Sequence, residues 1–312
     1  MITTDKPGKS KSYTTRLYAL VSDTLSRLER KPWAFILLLV LPLTYLTLLY
    51  ALPLLLLFSR SLFSYNVATQ VTGGFTFENY TRFLTDTDYL RVLWTSLRIA
   101  VLVTLLDLVI GYPIAYLLAR STGTIKQVLL AIVISPMLVS IVIRTFSWAL
   151  LLNAGGPVNR FLMATGLVQE PLQIMYHEPA VIIALVHVYL PFMIIPLSTV
   201  IERIDSTLEH AASSLGANVI RRFVEVIFPL SLPGVAAGCM LVLTNAVSAY
   251  VTPAMLSGDR FLVMPTLVQQ QMQVLVNWSF GSAIAIVLMV VVLGIISLFS
   301  WFTDSASRFR VR

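Results

Sequence analysis

Seven side chains interrupt long apolar runs in this 312-residue chain, and each needs a reason to be there: Arg98, Asp107, Arg144, His187, Asn245, Ser248 and Tyr250. Ionisable groups are costly in hydrocarbon, so they are candidates for a substrate path, a proton relay or an intramembrane reaction. Arg98 and Asp107 lie nine positions apart, about 13 Å along a helix axis, too far for a direct pair. Each therefore needs another partner. Arg144, eight residues after Pro136, either faces a polar cavity or snorkels to the outer interface. His187 is either a gate or a hydrogen bond between helices. Asp107 and His187 are candidates for a substrate path, while Asn245, Ser248 and Tyr250 in the later run can serve as helix-to-helix bonds.

Familiar catalytic groupings are missing. The chain has no Gly-rich Lys-Ser/Thr phosphate loop, no HExxH, no paired carboxylates and no Ser/His/Asp set at usable depth. Leu256-Ser257-Gly258-Asp259 is only a fragment of an ATPase signature. The single cysteine, Cys239, excludes a disulfide framework and a Cys-based metal site. No catalytic residue, cofactor or metal is expected, and any ATP hydrolysis falls to another chain. An intramembrane enzyme using Asp107, His187 or Arg144, or a self-sufficient channel, are the competing classes.

The elements that must position these residues are membrane spans. Hydrophobic residues make up 57%, charged residues 12%, and the mean hydropathy is +0.83, against about a quarter charged in soluble domains. The expected fold is an all-α polytopic membrane protein with six transmembrane helices. A basic tail, 1–32, with a surface helix over 16–32, precedes a membrane domain, 33–303, and a basic C-terminus, 304–312, follows it. The spans are expected near 33–58, 92–118, 127–152, 179–200, 231–255 and 280–302. The first is too long for a signal-peptide core and is read as retained. Six spans put both ends on one side, and the charge bias says which. The tail, inner loops and C-terminus hold fifteen Lys and Arg, the outer segments five, and the spans two. The positive-inside rule thus places both termini in the cytoplasm. The net charge of +7 reflects topology and anionic lipid, with no call for nucleic acid.

One inner loop, 202–229, has a definite architecture. Leu208, Ala211, Ala212 and Leu215 recur at i, i+3, i+4 and i+7, the stripe of a short amphipathic helix, with Glu209, His210, Ser213 and Ser214 opposite. Ser206 and Glu209 have capping-box spacing, and Gly216 stands where a helix stops on a left-handed residue. A second helical stretch carries Arg221 and Arg222 to Pro229, with Pro229 and Pro233 opening the next span.

This loop resembles the EAA loop of binding-protein-dependent ABC transporter permeases: Glu-Ala-Ala, three residues, Gly, nine residues, then Ile-x-Leu-Pro. It reads here His210-Ala211-Ala212, Gly216, then Val226-Ile227-Phe228-Pro229. The spacing is kept, while His210 and Phe228 depart from Glu and Leu. Thr95-Ser96-Leu97, Gly111-Tyr112-Pro113-x-Ala115-Tyr116, Tyr189-Leu190-Pro191-Phe192 and Asn277-Trp278-x-x-Gly281 extend the likeness, which is greatest to polyamine-type permeases. The resemblance implies a type I importer fold in a bacterial inner membrane, a second permease subunit, two cytoplasmic ABC ATPases and an extracytoplasmic solute-binding protein. It implies that Glu209, His210, Ala211, Ala212, Leu215 and Gly216 couple to the ATPase, and that the fifth span borders the substrate path, which makes Asn245, Ser248 and Tyr250 candidate path-lining groups. His210 at the Glu position leaves Glu209, one residue earlier, as the candidate acidic contact. Relatives of this class carry polyamines, amino-acid derivatives, sulfate or metal complexes.

Overall fold

The computed structural model describes residues 32–66 and 71–308. The basic tail over 1–31, most of the expected surface helix, and Arg310 and Arg312 lie outside the described residues. Two units divide the chain, 1–59 and 60–312. Helix α1, Pro32–Ser61, is apolar along its length and continues through Pro42 and Pro53. Among the described residues, six helical stretches are long and apolar enough to cross a membrane: Pro42–Ser61, Thr87–Arg120, Ile141–Ala164, Glu178–Glu202, Val219–Val247 and Trp278–Ser300.

After α1 the segment read only as polar and aromatic has structure of its own. Strands β1, Phe63–Asn66, and β2, Val71–Phe75, pair antiparallel with Phe63 opposite Phe75. Helix α2, Glu78–Thr85, is tied to the hairpin by the Asn79 amide, which donates to the carbonyls of Ser61 and Phe63 at 2.9 and 3.0 Å. Asp86 then caps α3, Thr87–Arg120, by accepting the Asp88 N–H.

The third expected span is broken. Instead of one helix over 127–152 there are α4, Gly123–Ile134, a tight turn over Ser135–Leu138, extended Val139 and Ser140, and α5, Ile141–Leu152. Pro136 is the cause, since its ring crowds the preceding turn and it has no N–H to continue the ladder. The apolar stretch that begins at Ile141 turns again at 153–156 before α6, Pro157–Ala164.

Helix α7, Glu178–Glu202, is the most enclosed element, with Val181, Ala184, Leu185, Met193 and Leu197 fully buried. It packs on α3, through Ile99, Ala100 and Val103, and on the fifth-span helix, through Val242 and Ala246. That helix begins earlier than expected. Short α8, Ser206–Ser214, is followed by α9, Val219–Arg222, which runs without a stop through a widened turn, Phe223–Ile227, into α10, Phe228–Val247. Phe228 N–H reaches back to the Phe223 carbonyl, and this extra residue in the turn makes room for the Pro229 ring, so Pro229 does not break the helix. The helix ends at Val247, short of the expected 255, where Asn245 and Ser248 side chains compete for its last carbonyls. Helices α11, Val251–Leu256, and α12, Met264–Gln269, precede α13, Trp278–Arg308, whose Phe280 and Ile284 close over Phe83, Met264 and Leu267.

Lipid offers helices little hydrophobic reward for association, so close backbone approach at small residues matters more than in water. Gly234, buried at the α7–α10 contact, is such a point. A Cβ there would sit 2.9 Å from Val200 Cβ and 3.1 Å from Leu197 Cα, neither of which can turn away. Gly234→Ala should cost about 1–3 kcal/mol through forced separation of the two helices. Gly294→Ala, with nothing within 4 Å of the added methyl, should leave stability unchanged or slightly raised. Thermal unfolding of the purified protein in detergent separates the two cases.

Candidate functional site

The loop over 202–229 folds as an elbow. Asp205, and not Ser206, is the N-cap of α8: its Oδ1 accepts the Thr207 N–H at 2.9 Å, a bond that holds the carboxyl below the usual carboxylate range. No Ser206–Glu209 capping box forms, because the Glu209 side chain is drawn elsewhere. At the other end Gly216 has φ +84°, and Gly216 and Ala217 donate back to the carbonyls of Ser213 and Ala212. This is the left-handed stop that the spacing predicts. Asn218 then caps α9 through Oδ1, which accepts the Arg221 N–H at 2.8 Å.

Most of α8 is exposed, its apolar stripe included, and Glu209 is its buried residue. Leu208 and Leu215 are exposed, Leu215 at 88%, and Val219 and Ile220 beyond the elbow are exposed at 70% and 73%. Glu209 is buried at 7%. Its carboxylate pairs with the Arg120 guanidinium and accepts the Tyr116 hydroxyl at 2.8 Å, while Arg222 Nε lies 3.9 Å away. Arg222 also donates to Ser213 Oγ at 2.9 Å, and Arg120 to the Ile204 carbonyl at 3.0 Å. Glu209, the candidate acidic contact, thus faces inward within this chain. The physical reason is the cluster of Arg120, Arg222 and Tyr116, which gives a carboxylate more than solvent or a partner's surface would. His210, Ala211, Leu215 and Gly216 remain exposed, and Ala212 is half-buried. Tyr116 and Arg120 went unnoticed as site residues. Their signal was a Tyr and an Arg four positions apart at the end of a span, hence on one helix face.

The span candidates separate into different settings. Asp107 is fully buried where α3 packs on α7 and α10, and neither carboxylate oxygen has a hydrogen-bond partner. Arg98 finds its partner in Glu178, at the start of α7. His187 Nδ1 accepts the Trp148 indole N–H at 3.2 Å, which is the helix-to-helix bond and leaves the other ring nitrogen to carry the proton. Arg144, on α5, has two buried guanidinium nitrogens without partners. Asn245 and Ser248 donate to carbonyls of their own helix, Leu241 and Thr244, and Tyr250 is exposed at 40% in the break that follows. Asp107, Arg144 and His187 are thus not joined by any hydrogen bond or ion pair that would assemble a catalytic group.

Among the described residues, six helical stretches are apolar enough to cross a membrane, and a capped elbow stands between the fourth and fifth. Residues 110–302 match the family of binding-protein-dependent transport system inner membrane components. The chain is 36% identical over 257 residues to the spermidine/putrescine transport system permease protein PotB of Escherichia coli (strain K12), covering 82% of this chain and 93% of that one. Among solved structures, it is similar to a bacterial ABC transporter involved in the import of the acidic polysaccharide alginate, with a TM-score of 0.67 at 18% identity over 91% of this chain and 99% of that one. The alginate transporter in complex with alginate pentasaccharide-bound periplasmic protein gives 0.68 at 17% identity, covering 88% and 94%. The chain belongs to the binding-protein-dependent permease family. It is a multi-pass inner-membrane protein with the type I ABC importer fold, and it serves as a permease subunit of a binding-protein-dependent importer.

Proposed function

We propose that this permease carries a polyamine or a related small amine, and that α8 with the Gly216 turn is its coupling element to a separate cytoplasmic ATPase. The observation that carries the coupling role is the elbow's outward apolar surface, Leu208, Leu215, Val219 and Ile220, on a helix too short to stand alone. Such a surface fits an apolar groove in a partner, with His210 beside it. The substrate class rests on the likeness to the spermidine/putrescine permease over most of the chain. Two ATPases hydrolyse ATP beneath a pair of permeases, and an extracytoplasmic binding protein delivers the solute. When the ATPases close, the elbows move with them and the spans open outward, which is alternating access. Asp107, His187, Asn245, Ser248 and Tyr250 are the proposed path residues, those near 245–250 lying at the outer end of α10.

Both termini and the elbow are cytoplasmic in this reading, as the Lys and Arg bias supports. In a Cys239→Ala background, Glu170→Cys, exposed between α6 and α7, should react with an impermeant thiol reagent added to intact cells. Ser214→Cys, exposed on α8, should react only after lysis. The opposite pattern refutes the orientation.

Gly216 tests the coupling role. A Cβ there would meet nothing within 4 Å, so Gly216→Val acts through backbone strain at φ +84° alone, about 1–3 kcal/mol. That suffices to unwind a helix of nine residues while leaving the spans inserted. The variant should reach the membrane at normal abundance, fail to take up labelled spermidine with its binding protein, and lose substrate-stimulated ATP hydrolysis. Normal uptake at matched expression rejects the elbow as the coupling element.

A further inference from the structure

The elbow leaves its apolar side chains free, so something else fastens it to its own chain. Within α8 only Ala212 among the apolar residues is even half-buried. What holds the helix is Glu209, its buried residue, bound to Arg120 and Tyr116, while exposed Ser213 accepts from Arg222 of α9. Tyr116 and Arg120 stand one turn apart at the inner end of α3, a span whose Val103 and Ala115 are fully buried in the packed core. Arg120 grips twice, holding the Glu209 carboxylate and the Ile204 carbonyl that leads out of α7.

We propose that Glu209 is a positioning residue that latches the coupling helix to the inner end of α3, so that displacement of α8 by its partner is delivered to that core span through the Arg120–Glu209 pair. The inference rests on the coupling role proposed above for the same elbow. It gives α8 two outlets: one along the chain through Gly216 into the fifth span, and one across space into the second.

The burial of this pair sets it apart from its neighbours. Arg120 and Glu209 side chains are 23% and 9% exposed, against 34% and 53% for Lys126–Glu202 and 65% and 56% for Arg221–Glu225. Exposed pairs contribute little because water competes for both charges. A partly buried pair with every oxygen engaged resists separation, and removing one member strands the other. Such a contact transmits a pull where the exposed ones would slip.

The test uses the complete complex of permeases, ATPases and binding protein in liposomes, reading uptake per ATP hydrolysed, since a purely structural defect lowers yield without changing that ratio. Glu209→Gln should assemble with the ATPase at parental yield, because the outward surface is untouched. It should keep basal hydrolysis, and lose about tenfold in uptake per ATP, the scale of a severed charge pair. Arg120→Gln should do the same, and the double variant should be no worse than either single one, as a shared interaction requires. Additive losses, an unchanged ratio, or loss of ATPase from the Glu209→Gln complex would each overturn the latch. Tyr116→Phe, which keeps the pair and removes one hydrogen bond, gives a milder version of the same loss if the stronger variants fail to accumulate. Gly216→Val in the same assay separates the two levels: if it transports normally the coupling role itself fails, whereas its failure beside a normal Glu209→Gln removes the latch alone.

Discussion

The approach of α7 to α3 and α10 is the contact on which the molecule depends. In hydrocarbon every backbone group must be satisfied within its own helix, and helices then associate through packing and a few polar contacts. Here Gly111, Gly234 and Gly238 bring the neighbouring backbones against Met193, Leu197 and Val200 of α7. The broken third span, the outer helices and the elbow all hang from this three-helix unit. Asp107 is enclosed by it. So is the hydrogen bond of Tyr112 to Ser231, 2.6 Å long, which joins α3 to α10 near their inner ends.

Much of this frame was legible in the chain. Apolar runs of sufficient length located the second, fourth and sixth spans to within a few residues of their helices, because length and hydropathy alone decide them. Gly216 was legible too, since only a residue free of Cβ strain suits φ +84° at a helix stop. Periodicity also gave α8 its stripe. What it did not give was the side on which the stripe lies. A helix with apolar residues along one face is usually read as facing its own core, yet Leu208 and Leu215 are exposed here and Glu209 is the buried side chain. That burial depends on Arg120, 89 positions away in sequence from its partner Glu209, and no local pattern reports such a pairing. The third and fifth spans failed for another reason. Pro136 ended one helix and Pro229 did not end another, and the difference is a widened turn that room for the ring requires and that propensity does not encode.

The candidate path was the least legible part. Polar residues in spans were correctly marked as needing partners, yet the partners divide them. His187 is committed to Trp148 and Arg98 to Glu178, while Asp107 and Arg144 hold buried polar atoms that no neighbour satisfies. Unsatisfied polar atoms at such depth are costly, so the two residues differ in kind from those that merely join helices.

The unbroken helix from Val219 to Val247 also has a geometric consequence. Its 29 residues make a rigid rod about 43 Å long at 1.5 Å per residue. The elbow sits at one end and the stretch holding Asn245, Ser248 and Tyr250 at the other. A tilt of about 5° at the elbow sweeps the far tip of a rod of that length by about 4 Å, roughly two-thirds of a helical turn. A small stroke at the elbow end is thereby carried to the end that holds Asn245, with no break in the helix between them.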